Sequence, residues 1–385
     1  MIRVWTAIAL IVVSTGACLA DSIEEIAIKS KGAGPLFRTR HGKQWGYIDR
    51  AGKVVIPPQF DWEGDFFSGL ASVQKSGKWG YVDEVGRLRI PFQFDNAGSF
   101  HEGLAAVQVG RQWGYIDSTG KIVIRPQFQG AAAFNEGMGR VAVWETIRCD
   151  DMLDGVRFKE QTKDDAPLFL FGVYSSPHCK DNRRFGFVRR DGTVSISPQF
   201  SQAYDFSEGL AVVRIGEGDS GSYGFIDKTG KVTIGPTFEL AGGFSEGVSW
   251  VTLKGASERS GFIDHSGHFV IPPRFERVGS FSEGLALAQI EGGRTGFIDK
   301  RGTFVIPPKF DQADDFSDGL ALVRMHPERN TNAYFIDRKG RAALRLKLQV
   351  RWSFSDGLTV AGKRGKQVYV DRHGAVVAPY EIDPE

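Results

Sequence analysis

The sequence is poor in cysteine and methionine, carries no excess of either charge and has no long hydrophobic run in its body. Three Cys and four Met occur in 385 residues, too few Cys for a disulfide-dense scaffold. The 48 Lys and Arg against 46 Asp and Glu leave a net charge of +2. That balance excludes a nucleic-acid binder driven by bulk charge, and an acidic solvating tail. Beyond the first residues no segment approaches ~18 consecutive apolar residues, so none reads as a membrane span. There is no P-loop, no nucleophile elbow and no pair of carboxylates outside a repeating pattern. What is present is apolar residues at 41 %, enough for a folded core, with 48 Gly and 29 Phe. Abundant Gly and Phe point to many short strands and tight turns.

Residues 1–20 read as a secretory signal. Arg3 supplies a minimal positive start, and Trp5 to Val13 is a nine-residue apolar run, short of the ~20 residues a bilayer span needs. Ser14, Thr15, Gly16 and Ala17 follow, and cleavage after Ala20 would start the mature chain at Asp21. Thr15-Gly16-Ala17-Cys18 permits a second reading, a lipobox in which Cys18 is lipidated, although Thr15 stands where that motif carries Leu. A retained membrane anchor is a third. The expectation is a periplasmic or secreted protein, with an outer-membrane lipoprotein as the variant.

The rest of the chain repeats itself. Trp45-Gly46-Tyr47-Ile48-Asp49 recurs as Trp79-Gly80-Tyr81-Val82-Asp83 and Trp113-Gly114-Tyr115-Ile116-Asp117. Later copies centre on Arg189, Asp227, Asp264, Asp299, Asp337 and Asp371, at steps of 34, 34, 72, 38, 37, 35, 38 and 34 residues. A second anchor, Phe-x-x-Gly, keeps the same beat from Phe66/Gly69 to Phe354/Gly357. A third, Pro-x-Phe, runs from Pro58/Phe60 to Pro308/Phe310, with Phe92-Gln93-Phe94 as a variant. Such periods indicate solenoids, propellers or arrays.

Each copy reads as three strands. Trp45 to Asp49 is one, followed by a turn ending at Gly52, and Lys53 to Ile56 is the next. Alternation there predicts that Val54 and Ile56, apolar in most copies, both face a core. Pro57 and Pro58 are expected to end that strand, and Leu70 to Gln74 forms the third after the Phe-x-x-Gly turn. The Gly of that turn is expected to take a positive φ or to permit close packing. Three strands per ~35 residues falls short of the ~40–45 of a four-stranded propeller blade. The expected fold is therefore all-β, an elongated array of three-stranded antiparallel repeats, with a closed propeller-like ring as the alternative. Residues 21–35 and 376–385 would cap its ends. The repeats form two blocks, 36–144 and from 185 onward, separated by an insertion at 145–184 that lacks the anchors.

The strings Trp-Gly, Gly-Tyr-Ile-Asp, Ile-Pro-Pro-x-Phe and Phe-Ser-Glu-Gly-Leu-Ala resemble the bacterial WG-repeat (KWG-type) family. The resemblance covers about residues 36–380. It implies an all-β repeat protein, often exported, with no common activity. The match is graded: Phe185, Tyr223, Ser260 and Thr295 replace the Trp, Tyr334 and Val368 replace the Gly, and Arg189 replaces the Asp.

Several residue groups invite chemistry and admit plainer readings. Gly216 to Gly221 spells the dinucleotide GxGxxG but precedes a repeat strand rather than a helix, so it reads as a hairpin loop. Asp150 to Gly155 resembles an EF-hand start, but Met152 and Gln161 stand at ligand positions, so it reads as a solvated acidic loop. His265 and His268 share one turn with no third ligand nearby and read as exposed. His178-Cys179 could suggest a thiol nucleophile, but export makes a Cys149–Cys179 disulfide the expectation. The repeated Asp reads as a turn former, and the repeated Glu or Asp of Phe-Ser-Glu-Gly as solvated loop charge. The functional expectation is a non-catalytic binding or scaffold surface for a protein or glycan partner in the cell envelope. It carries no catalytic residue, cofactor or metal, and no nucleic-acid partner. The alternatives are an enzyme with its site in the insertion, or a purely structural envelope component.

Overall fold

The computed structural model describes residues 35–144, 183–216, 220–255, 259–325, 333–346, 348–350, 352–363 and 366–379. These residues form antiparallel sheets, with no α-helix among them. The anchors define nine units. Unit 1 has three strands, Phe37–His41, Gln44–Ile48 and Val54–Phe60. Unit 2 has four: Trp62–Glu63, Leu70–Lys75, Lys78–Asp83 and Leu88–Phe94, paired in chain order. Units 3, 4, 7, 8 and 9 repeat that plan. Units 5 and 6 are joined into one seven-stranded sheet because a single long strand, Val232–Ala241, serves both.

The tandem all-β expectation holds, and the sheets differ from it in three ways. First, all but the first unit gain a short strand just before the Phe-x-x-Gly turn. It is two residues long in most units, too short for alternation to reveal. Second, the strand at Val54 does not stop at Pro57 but runs through both prolines to Phe60. It is the outer strand of its sheet, where a missing N–H costs no ladder bond. Third, Val54 is 42 % exposed and Ile56 only 1 %. A bulge pairs Tyr47 with Ile56 but Ile48 with Val54, so the alternation that would put both inside is broken.

The Gly of Trp-Gly is explained by that same outer strand. A side chain on Gly46 would sit 2.4 Å from the Ile56 carbonyl oxygen, and Gly80, Gly114 and Gly186 are equally crowded. Where Tyr334 replaces this Gly in unit 8, the outer strand shrinks to Ala342–Leu344. The Phe-x-x-Gly turn is a two-residue hairpin with both central residues left-handed, as at Glu102 (φ 50°) and Gly103 (φ 80°). This is the type I′ geometry that matches strand twist.

Each unit packs on the next through the same contact. The aromatic ring of the strand beside its outer strand meets the Phe of the following Phe-x-x-Gly: Tyr47 with Phe66, Tyr81 with Phe100 and Tyr115 with Phe134, each at 4.8 Å between centroids. The series continues through Phe187–Phe206, Phe225–Phe244, Phe262–Phe281, Phe297–Phe316 and Phe335–Phe354. It then closes. Tyr369 of unit 9 lies 5.5 Å from Phe37 of unit 1, and its hydroxyl donates to the Arg38 carbonyl at 2.9 Å. Ile48, Leu358, Val360, Tyr369 and Ala378 form one buried cluster across that junction. The contacts therefore follow the closed, propeller-like alternative. No sheet closes on itself; closure is by packing of separate sheets. Residues 376–379, at the start of the span expected to cap the chain, are the outer strand of unit 9. The step of 72 residues is also resolved: Met138–Val143 and Arg184–Arg189 pair directly within unit 4, so the insertion joins two neighbouring strands of one sheet.

Candidate functional site

The repeated carboxylates fall into two structural ladders. Asp49 accepts from the Ala51 and Lys53 N–H groups at 2.9 Å, and Asp83, Asp117, Asp227, Asp264, Asp299, Asp337 and Asp371 do the same in their turns. These bonds, with the Thr119 and Thr229 hydroxyls foremost at their sites, hold Asp117 and Asp227 below the usual carboxylate range. The turn-forming reading of these residues stands. In unit 4, where Arg189 replaces the Asp, Asp191 takes over by accepting from Thr193.

The Phe-Ser-Glu-Gly carboxylates are not merely solvated charge, contrary to the sequence reading. All but Asp356 of the last unit accept a backbone N–H from the next unit's Gly: Glu102 from Gly137, Glu136 from Gly209, Glu208 from Gly247, Glu246 from Gly284, Glu283 from Gly319 and Asp318 from Gly357. A cation of that next unit often joins: Lys228 on Glu136, Lys300 on Glu246 and Arg372 on Asp318. His265 belongs to this series too, with Nε2 3.3 Å from Glu208 and its ring stacked on Phe244. It is thus an inter-unit contact rather than only an exposed turn residue, while His268 bonds within its own turn through Ser266. Sequence reasoning missed this ladder because its partners are backbone groups one unit away.

The remaining candidates separate plainly. The Gly216 to Gly221 loop joins the paired strands Ala211–Ile215 and Ser222–Ile226, a hairpin as read. Cys18, Cys149, Cys179, His178 and the Asp150 to Gly155 segment lie outside the described residues. Among the described residues no three His, Cys, Asp or Glu side chains gather as a metal site would require.

A hollow of about 700 Å³ runs along units 1 to 4, within the size range of small-molecule sites, and two others of about 640 and 650 Å³ lie where unit 9 meets unit 1. Many lining residues of the first are small, among them Gly64, Ser72, Ala97, Gly98, Ala106 and Ala132. Trp79, Trp113, Trp144, Phe67 and His101 line it as well. Phe67 and His101 stack at 4.6 Å. Arg38 and Arg140 also line it, Arg38 beside the Glu63 carboxyl (3.5 Å) and the Asp65 carboxylate (3.2 Å), Arg140 paired with Asp205 (2.8 Å).

Glu63 is the unusual residue. Its side chain is 3 % exposed, and Ala97, Ala131, Ala203, Ala241, Val278 and Ala313 occupy the same place in other units. Burial pushes its carboxyl up to about 8, against the pull of Arg38 and Arg40 and with the push of Asp65. Desolvation outweighs the guanidinium because a carboxylate loses more hydration than a 3.5 Å ion pair returns. At neutral pH this group therefore carries a proton. Its Oε2 atom, and Oε1 of Gln129 in the same hollow, are buried without a hydrogen-bond partner among the described residues. Comparison of Glu63 with its repeat equivalents was the one signal in the sequence that could have singled it out.

Seven segments match the model of the WG-containing repeat: 45–79, 79–111, 113–143, 185–218, 223–255, 261–293 and 296–326. Together they span more than half of the chain, which belongs to the WG-repeat family. No curated protein matches the chain by sequence. Among solved structures, a eukaryotic initiation factor is similar at 11 % identity and a TM-score of 0.55, covering 89 % of this chain and 94 % of that one. That likeness concerns the fold alone. BamB from Moraxella catarrhalis is similar at 10 % identity and a TM-score of 0.32, over 88 % of this chain and 94 % of that one. The WD40 β-propeller domain of Doa1 is similar at 9 % identity and a TM-score of 0.28, over 76 % and 92 %.

Proposed function

We propose that this WG-repeat protein is a non-catalytic binding or scaffold protein, whose ligand meets the hollow of units 1 to 4. One observation carries the reading. The repeated carboxylates that could have done chemistry are engaged in turns and unit junctions, while Glu63 and Gln129, which line the hollow, each bury a side-chain oxygen without a partner among the described residues. A native fold rarely leaves buried polar atoms unmet unless something else meets them. Repeat rings offer rigid loops and an enclosed surface for such recognition. The chain leaves unit 4 for the insertion at Trp144 and returns at Arg183, and both residues line the hollow.

Export belongs to the same proposal. The apolar run at Trp5 to Val13 and the small residues before Asp21 support a secreted or periplasmic protein, with lipidation at Cys18 as the variant. An oxidising compartment would then join Cys149 to Cys179, and non-reducing peptide mapping of natively exported protein reads this directly. The function is tested by presenting the purified mature protein to arrays of glycans and cell-envelope proteins. Saturable binding with the ligand recovered unchanged is the expected result. Conversion of a bound ligand into product would overturn the non-catalytic reading.

A further inference from the structure

We propose that the hollow of units 1 to 4 is a saccharide-binding site, in which sugar C–H faces rest on Trp113, Trp144 and the Phe67–His101 pair while sugar hydroxyls bond to Glu63 and Gln129. The inference rests on the binding reading above and names its ligand class.

Four features of the hollow select this chemistry. Of the unpartnered buried atoms of the hollow, Gln129 Oε1 is an acceptor, while Glu63 Oε2, on an acid that carries its proton, can donate as well as accept, so together they call for a ligand whose groups do both. An ammonium group only donates, and the acidic groups at the hollow, Glu63 and Asp65, are already paired with Arg38. An anion such as phosphate is opposed by Asp65, and both arginines already hold carboxylates. A neutral polyol meets every group: it donates to Glu63 and Gln129 and accepts from Ser72 or Asn96, which also line the space.

The aromatic side chains fit the same ligand. Phe67 is 40 % exposed and Trp144 36 %. The same space is lined by Gly and Ala, by these rings and by polar side chains. A pyranose presents one apolar face and a polar rim, so a hollow lined by rings and polar groups suits it. The volume of about 700 Å³ has room for a short oligosaccharide rather than one sugar. A protonated Glu63 is suited to this role, because an acid without charge both donates to and accepts from hydroxyls.

Binding is tested on a glycan array of neutral oligosaccharides, then by tryptophan fluorescence titration of each hit and of trilysine as the competing cation. At least one neutral oligosaccharide is expected to bind saturably. Ala133→Trp, which fills the hollow from a half-exposed position, should abolish that binding. Trp144→Ala, at the exposed rim, should weaken it about tenfold or more without changing the melting temperature appreciably. Glu63→Gln should keep it within about threefold, since an amide reproduces the uncharged acid. Glu63→Leu should weaken it about tenfold or more. Three results would overturn the proposal: no neutral oligosaccharide binds, a saccharide binds but ignores Ala133→Trp and Trp144→Ala, or trilysine binds and is lost in Glu63→Gln. The second result would leave the general binding role standing and relocate the site. If only an envelope protein on the array binds, the binding role also survives and the saccharide assignment falls.

Discussion

Units 2 and 3 and units 5 to 7 solve the same junction with different atoms. At the junctions that follow units 1, 2 and 3, a tyrosine hydroxyl crosses to the next unit: Tyr47 to the Gly64 carbonyl, Tyr81 to Gly98 and Tyr115 to Ala132, at 2.7 to 2.8 Å. In units 5 to 7 the ring is Phe225, Phe262 or Phe297, and a serine hydroxyl crosses instead: Ser207 to the Phe244 carbonyl, Ser245 to Phe281 and Ser282 to Phe316, at 2.6 to 2.8 Å. Where Tyr is present, Phe67 and His101 replace the serine. Each of these six junctions thus keeps one hydroxyl-to-carbonyl bond, but the Tyr solution frees the turn position for other side chains. The units with freed positions are those that border the hollow. The comparison teaches that the fold is maintained redundantly, and that the redundancy is used on one side of the ring.

The largest expected break in this scheme is Ile124→Asp. Ile124 is 2 % exposed in the core of unit 3, and an unpaired buried charge costs several kcal/mol. In a closed ring the loss should lower stability across all units together. Hydrogen exchange that loosened only units 2 to 4 would favour an open array.

Glu63→Gln should act in the opposite direction, and by a pH-dependent amount. A carboxyl whose folded value is raised to about 8 contributes stability that is present below its unfolded value of about 4.3 and is lost as pH rises through about 8. The variant lacks that loss, so it should gain on the parent between pH 5 and 8 in urea melts, by a few kcal/mol at most. Arg38, Arg40, Asp65 and Tyr47 are the charged and titratable groups around Glu63, and a difference independent of pH would contradict the buried-acid account.

The two junction chemistries should weigh alike. Tyr81→Phe and Ser245→Ala each remove one inter-unit bond, worth about 1 kcal/mol and somewhat more where the carbonyl stays buried. A Tyr81→Phe effect several times larger would show that the junctions are not equivalent. The smallest effect belongs to Glu136→Gln. Its bonds to Lys228 and the Gly209 N–H hold its carboxyl low despite the opposing desolvation. Its contribution is therefore present above about pH 4.3 and fades as pH falls through the lower folded value. The pair is partly exposed, so the loss near pH 7 should stay within about 1 kcal/mol and shrink in high salt.

The repeat phase, the strand class and the turn role of the Asp ladder were all legible in the sequence, because each rests on local chemistry. Gly46 shows where local reading runs short: its need for no side chain comes from the Ile56 carbonyl in the outer strand. Val54 was misread because a bulge, which leaves no mark in the residue pattern, shifts the pairing. Ring closure was not decidable from one period, since the contacts of Tyr369 with Phe37 and Arg38 look locally like any other junction. Glu63 was visible as a departure from Ala and Val, but its burial against Arg38 depended on knowing that the first unit's second residue faces the next unit's short strand.

Ring closure is the central claim, and a distance measurement with a built-in reference tests it most directly. Lys231 and His268 are equivalent turn residues of adjacent units 5 and 6, each bonded through its N–H to the turn Asp. Lys53 and Ala375 are the same positions in units 1 and 9. Nitroxide labels at each pair, with Cys149 and Cys179 replaced by serine, can be compared by pulsed electron resonance. A closed ring predicts that the Lys53–Ala375 distance distribution matches the Lys231–His268 one. A Lys53–Ala375 distance far longer than that reference would contradict closure.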